Sequence, residues 1–284
     1  MDKLWRFLRS VCLIVCVILV TSVVTIIYVQ PYLFFHPWHN EEAHQQLKQI
    51  SDFQEIEIDN NGKKLSGWMK YNSEKEIAPL VIFFLGNADN SSNTCLVFFN
   101  RNIYKYFDDY NLLVVDYPGY GISEGKTSER TMFDAALKVY DYATELEYVD
   151  KNNIVVLGYS IGTGVATYVS LQRPINGLIL VSPYDEALSL YNDNVNIFYG
   201  PIKLLARYKF NSLEYAKSIK VAPLIITSYD DEVIDYKFSL NLANNFNDVY
   251  QTIILDENVK HSNYFAQEKV LNSIYEYLQD KHKV

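Results

Sequence analysis

Apolar residues fall along this chain in three patterns. The first is continuous: "VCLIVCVILVTSVVTIIYV", residues 11–29, runs for 19 positions without a charge. At ~1.5 Å per residue, a helix of this length nearly matches the ~30 Å hydrocarbon core of a bilayer. The second is a set of short runs: "PLVIFFL" (79–85), "NLLVVDY" (111–117), "NIVVLGY" (153–159), "GLILVSP" (177–183), "PLIITSY" (223–229) and "QTIILDE" (251–257). The first suits a strand buried on both faces, the second is the next buried strand, and the others read as further strands. The third is helical spacing between those runs. Met132, Ala135, Ala136, Val139, Tyr140 and Ala143 keep one helix face, with Thr127 or Ser128 as its N-cap. Helices are also predicted over 91–107, after Ser160, and from Asn263 to about Asp280.

Before the first short run, "FQEIEID" (53–59) and "LSGWMKY" (65–71) flank the turn signal "NNGKK" and read as a hairpin. Strands and helices alternating after a hairpin predict an α/β domain over 53–284. Its mostly parallel eight-stranded sheet would carry helices on both faces. One long irregular stretch, 184–222, contains "YNDNVNIFYGPIKLLARYKF" and is expected to form a small, partly apolar lid.

Composition adds a location. Lys3, Arg6 and Arg9 precede the apolar run, which is longer than the ~7–15 residues of a signal-peptide core. Bulky Ile27, Tyr28 and Val29 stand where a cleavage site needs small residues, and Val15 before Cys16 does not suit lipoprotein processing. The expectation is an uncleaved single-pass signal anchor in residues 1–30, with a cytoplasmic N-terminus and an extracytoplasmic catalytic domain. The connector, 31–52, opens with "PYLFFHPWHN", rich in the aromatic residues favoured at the lipid–water boundary. Removing a segment of charge +2 from a chain of −9 leaves −11, which excludes a basic patch for nucleic acid or anionic lipid. Cys12 and Cys16 lie in the span, so Cys95 has no disulfide partner in the soluble part, and no Cys/His spacing suggests zinc. Nothing calls for a metal or an organic cofactor.

The chemistry centres on "VVLGYSIGTGVA" (155–166), where Gly158, Ser160 and Gly162 form G-x-S-x-G between a strand and a Gly/Ala-rich helix start. A sharp turn there lifts a serine hydroxyl to the tip of the sheet, and the glycines let backbone pass closely. A nucleophilic serine needs a base, and of the five histidines only His261 follows the last predicted strand and precedes the final helix. His36, His39 and His44 lie in the connector, and His282 is in the C-terminal tail. The acid that fixes the imidazole should follow an intervening strand. "IITSYDDEVID" offers Asp230, Asp231 and Asp235 there, which spacing does not separate; Asp185 is a weaker candidate. The turn "FFLGNADN" (83–90) can supply the Asn87 N–H, to pair with that of Ile161 as an oxyanion hole.

With these parts in order, the sequence resembles the α/β-hydrolases from about Phe53 to its end. Within them it resembles membrane-anchored serine hydrolases, the group of acylglycerol and lysophospholipid lipases and protein depalmitoylases. The resemblance rests on "FHPW", "GNADN", "DYPGYGISEGKTSE", "GYSIGTGVA" and "DDEVID". It implies Ser160 as nucleophile, His261 as base and Asn87 and Ile161 as oxyanion donors, and it selects Asp231 over Asp230. Leu85 replaces the family's usual His before the oxyanion glycine, and Thr227-Ser228 replaces a His-Gly pair before the acid. The implied activity is cleavage of an acyl ester or thioester, with lipid-like substrates favoured by closeness to the membrane. A peptidase of the same superfamily and an inactive membrane-bound scaffold are the rival readings.

Overall fold

A computed structural model describes residues 2–72, 74–194, 196, 198–256 and 258–282. The predicted strand end at Glu257 and parts of the expected lid, Val195 and Ile197, lie outside the described residues.

The hairpin forms as β1 (Phe53–Asp59) and β2 (Lys64–Lys70). The six apolar runs become β3 (Ala78–Phe84), β4 (Asn111–Val115), β5 (Val149–Tyr159), β6 (Gly177–Val181), β7 (Leu224–Ser228) and β8 (Gln251–Leu255). All residues of β3, β4, β6 and β7 are buried, as strands covered on both faces must be. The eight strands form one sheet in the order β1-β2-β4-β3-β5-β6-β7-β8. The β1–β2 and β2–β4 pairs are antiparallel, and the other pairs are parallel.

Helices surround the sheet. On one side α4 (Glu129–Thr144) and α5 (Ile161–Gln172) pack on each other and on β5, while α3 (Ser91–Asn100) and α9 (Glu268–His282) cover the opposite side. Ser128 caps α4: its hydroxyl accepts from the Thr131 N–H at 3.1 Å, and the Thr131 hydroxyl accepts from the Ser128 N–H at 2.9 Å. After β3 the chain goes out to β4, then crosses back to β5 on the other side of β3. This reversal opens a crevice at the carboxyl ends of β3 and β5, where open α/β sheets bind ligands.

Three helical segments differ from the sequence expectation. The helix predicted over 91–107 stops at Asn100, because Asn102 turns left-handed (φ 54°) and a 3-10 turn, Ile103–Phe107, follows. The last helix begins at Glu268, five residues late, since His261–Ala266 forms a separate 3-10 turn kinked at Asn263. A short helix, α2 (Glu41–Leu47), occupies the connector, with the Asn40 side chain accepting from the Ala43 N–H at 3.1 Å.

The N-terminal run forms α1 (Asp2–Phe34), which has a mean hydropathy of 2.9 over its most apolar window and is the one described helix long and apolar enough to cross a membrane. Two of its hydroxyls bond to the helix's own backbone: Ser10 donates to the Arg6 carbonyl at 3.0 Å and Thr21 to that of Ile18 at 3.1 Å. The helix runs through Pro31 to Phe34, past the expected boundary at residue 30. At its end Gln30 and Phe34 are buried against the domain while Tyr32 and Leu33 stay exposed, and Gln30 bridges the Leu205 carbonyl (2.9 Å) and the Arg207 N–H (2.6 Å).

Candidate active site

Every candidate residue sits just beyond the carboxyl end of a parallel strand: Asn87 after β3, Ser160 after β5, Asp231 after β7 and His261 after β8. At the β5–α5 junction Ser160 has φ 53° and ψ −124°, a strained conformation for a residue with a side chain. The turn closes only because its neighbours are glycines. A Cβ on Gly162 would stand 2.2 Å from the Phe84 carbonyl oxygen and 2.5 Å from that of Leu85. Both are backbone atoms of the β3 end and the turn after it, so neither can swing aside. Gly162→Ala is therefore expected to lower stability by about 2–4 kcal/mol, seen as a fall in Tm, and to cut activity with it.

The serine hydroxyl meets His261, Oγ to Nε2, at 2.9 Å. On the ring's other side Nδ1 lies 3.0 Å from both carboxylate oxygens of Asp231. An ionised carboxylate only accepts, so Nδ1 carries the proton and the Nε2 lone pair faces the serine. The imidazole is also held from outside this line. Tyr159 stacks on it at 5.3 Å between centroids, and the Tyr159 hydroxyl donates to the His261 carbonyl. The Glu232 carboxylate accepts the His261 N–H at 3.2 Å.

The Asp231 side chain is fully buried. Its carboxylate accepts from the Ser182 hydroxyl (2.6 Å), the Tyr264 hydroxyl (2.9 Å) and the N–H groups of Val233 and Ile234 (3.0 and 2.9 Å). Burial alone would raise its pKa. The hydrogen bond and charge of His261, with the Ser182 and Ile234 donors, overcome that and hold it at about 2. The other carboxylates are used locally: Asp230 accepts from Asn258 N–H at 2.7 Å, Asp235 caps α8 (Tyr236–Ala243), and Asp185 accepts from Glu186 N–H and the Asn241 amide. Of these four aspartates, Asp231 is the one that reaches the His261 ring.

Among the described residues, the backbone N–H groups of Asn87 and Ile161 have no acceptor within the protein. Ile161 opens α5, whose N-terminus favours negative charge beside Ser160. The Tyr117 hydroxyl donates to the Leu85 carbonyl at 3.0 Å, so the turn that carries Asn87 is tied down with Leu85 in place of the usual histidine. The second departure is also absorbed: Ser239 donates to Thr227 Oγ1 at 3.1 Å, and Ser228 Oγ accepts the Asp230 N–H at 3.1 Å.

Above Ser160 opens a pocket of about 430 Å³. Its apolar wall comes from the end of α1 (Leu33, Phe34), from α6 (Ala187–Asn194; Leu190, Tyr191) and from Val233 and Ile234. Leu190 and Tyr191 belong to the stretch expected to form a lid.

This arrangement has counterparts among known proteins. A family model described as the alpha/beta hydrolase fold matches residues 79–222, half of the chain. The chain belongs to the α/β hydrolases. Among solved structures this α/β hydrolase is similar to the esterase Pf2001 of Pyrococcus furiosus, at 18% identity and TM-score 0.67, covering 87% of this chain and 98% of that one. It is similar also to Est1E of Butyrivibrio proteoclasticus with ferulic acid bound, at 18% identity and TM-score 0.68, covering 81% of this chain and all of that one. Those likenesses show the fold. In sequence it is 26% identical over 184 residues to an uncharacterized protein of Mycobacterium tuberculosis, covering 64% of this chain and 63% of that one. It is 29% identical over 184 residues to the lysophosphatidylserine lipase ABHD12 of Gallus gallus, covering 58% of this chain and 47% of that lipase. The α/β hydrolase thus has a lipase among its sequence relatives, and spans about half to just under two thirds of the length of these two.

Sequence reasoning did not single out Ser182, Tyr264, Glu232 or Tyr159, which hold Asp231 and His261. Ser182 left a trace: it follows the apolar run of β6 and stands directly before Pro183, as Ser160 follows that of β5. It too has a positive φ, 50°.

Proposed function

We propose that this α/β hydrolase is a membrane-anchored serine hydrolase that cleaves acyl ester or thioester bonds of lipid-like substrates. In this reading residues 1–30 are a signal anchor with its N-terminus in the cytoplasm. Residues 31–52 connect it to the catalytic domain, 53–284, on the extracytoplasmic side, with a small lid over 184–222. The observation that carries it is the hydrogen-bonded line Ser160–His261–Asp231 beneath an apolar pocket. His261 Nε2 takes the Ser160 proton as Oγ attacks the acyl carbon. The N–H groups of Asn87 and Ile161 hold the tetrahedral oxyanion. Collapse expels the alcohol or thiol, which leaves with the proton from His261, and the acyl group remains on Ser160. Water then attacks the acyl-enzyme, with His261 again as base, and releases the acid.

The preference for lipid-like acyl groups is supported by where the pocket lies. Its wall includes the last turn of α1, so its mouth stands at the depth where α1 leaves the bilayer. Beside that turn the lid exposes Leu204 at 81%, along with Ile202 and Tyr199, a set suited to the lipid boundary. The relationship to a lysophosphatidylserine lipase supports the same choice.

The full chain in detergent micelles, assayed on p-nitrophenyl esters from acetate to palmitate and on a lysophospholipid, tests this reading. The expected profile rises towards longer acyl chains, with a burst of nitrophenol marking the acyl-enzyme. An optimum at acetate would contradict lipid-like substrates, and turnover of peptide amides alone would favour the peptidase.

A further inference from the structure

The "FHPW" segment after the apolar run has no part in the mechanism above, yet its chain is bonded to the oxyanion turn. The Asn87 carboxamide donates from Nδ2 to the Phe34 carbonyl at 2.7 Å, and its Oδ1 accepts the His36 N–H at 2.9 Å. His36 Nδ1 lies 3.0 Å from Asn87 Nδ2, in reach of its second proton. Within the domain Oδ1 also accepts the Tyr120 hydroxyl at 2.7 Å. Two further bonds bind the next residues to the loop that carries Tyr120: Gly121 N–H donates to the Trp38 carbonyl at 3.0 Å, and His39 Nδ1 meets the Gly121 carbonyl at 2.5 Å. Phe34 is set among the rings of Tyr191, Tyr208 and Phe210, with centroids 5.2 to 5.6 Å away.

We infer that the end of α1 is a working part of the active site: residues 34–36 position the oxyanion turn through the Asn87 side chain, and Leu33 and Phe34 set the length of acyl chain the pocket accepts. The inference rests on the serine hydrolase reading. Its reasoning is geometric. The oxyanion donor is the Asn87 backbone N–H, while the Asn87 side chain is fastened to the helix that would be fixed in the membrane. Oxyanion donors work only within a few tenths of an ångström of the charge they meet. A turn left free to drift by ~1 Å can cost on the order of a hundredfold in rate. Asn87 is here both a donor, by its backbone, and a positioning residue, by its side chain. The segment that holds the enzyme to its membrane thereby also tunes its catalysis.

Two substitutions in the full chain in micelles test this. Asn87→Ala keeps the backbone N–H and removes the brace. With active sites counted by fluorophosphonate titration, its kcat per titrated serine is expected to fall about ten- to a hundredfold with little change in KM. Leu33→Trp narrows the pocket from the α1 side, and is expected to lower kcat/KM for palmitate relative to acetate by about tenfold or more. A merely structural Asn87 side chain would lower the titrated fraction and leave kcat per site at the wild-type value. That result, or an unchanged chain-length profile in Leu33→Trp, would overturn the inference while leaving the hydrolase intact. A wild-type chain that never labels would overturn the hydrolase reading and this inference together.

Discussion

Replacing Ser160 by alanine is expected to lower ester turnover by a factor on the order of 10⁴ to 10⁶, with the fold unchanged. The size follows from what the hydroxyl does. In the proposed mechanism Oγ is the atom that bonds to the acyl carbon, and in the resting protein its side-chain partner is His261 Nε2. Alanine keeps the methylene carbon and leaves the strained turn and its glycine contacts as they are, so packing has little to lose. Some hydrolysis survives, because the pocket and the oxyanion donors still bind substrate and water can attack unaided. The checks are kcat on a p-nitrophenyl ester and a thermal melt of the same preparation. A variant that melts like the wild type and keeps a tenth of its rate would remove Ser160 from the chemistry.

Asp231→Asn is expected to cost about 10⁴ in kcat by a different route. The carboxylate accepts from His261 Nδ1, from two hydroxyls and from two backbone N–H groups. A carboxamide has one acceptor oxygen, and its NH₂ would have to face one or more of these donors. The imidazole then gains most by presenting an unprotonated Nδ1 to that NH₂, which places the proton on Nε2 against Ser160. The base is spent before the reaction begins. Buried donors left without an acceptor should also cost about 2–4 kcal/mol of stability. A pH series separates the two effects. The folded carboxyl titrates near 2 and an unfolded one near ~3.9. Because the folded value is the lower one, the carboxylate's stabilisation is complete above the unfolded value and is lost as pH falls through about 2. The gap in Tm between wild type and Asp231→Asn should therefore be constant from neutral pH to about 5 and should shrink below it. A gap independent of pH would mean that the carboxylate's charge contributes nothing.

The two effects come from residues that were unequally visible in the sequence. Six strands could be read because each follows a short apolar run bounded by turn residues, and β1 and β2 because they flank the turn signal NNGKK. Ser160 and His261 stood out because the first lies in a pattern with a steric reason and the second is the one histidine between the last strand and the last helix. Asp231 was harder, since carboxylates crowd the turn after β7. Spacing cannot tell a helix cap such as Asp235 from a buried partner of histidine; the resemblance to a family made that choice. The break at Asn102 and the 3-10 turn at His261 were hidden because local polarity does not distinguish an α-helix from a tighter turn. Least visible were contacts made across the chain. Nothing near Asn87 in sequence announces that its side chain is held by Phe34 and His36, or that Gln30 is bonded to Leu205 and Arg207. Such pairings are set by how the end of α1 packs on the rest of the chain, which a pattern of apolar and polar positions does not encode.

The central claim is that Ser160 is an activated nucleophile. It is tested most directly by treating the full chain in micelles with a fluorophosphonate and locating the adduct by mass spectrometry. One adduct per chain is expected, on Ser160, absent from Ser160→Ala and from His261→Ala. A folded wild-type chain that takes no adduct, or takes it on another serine such as Ser182, would contradict it.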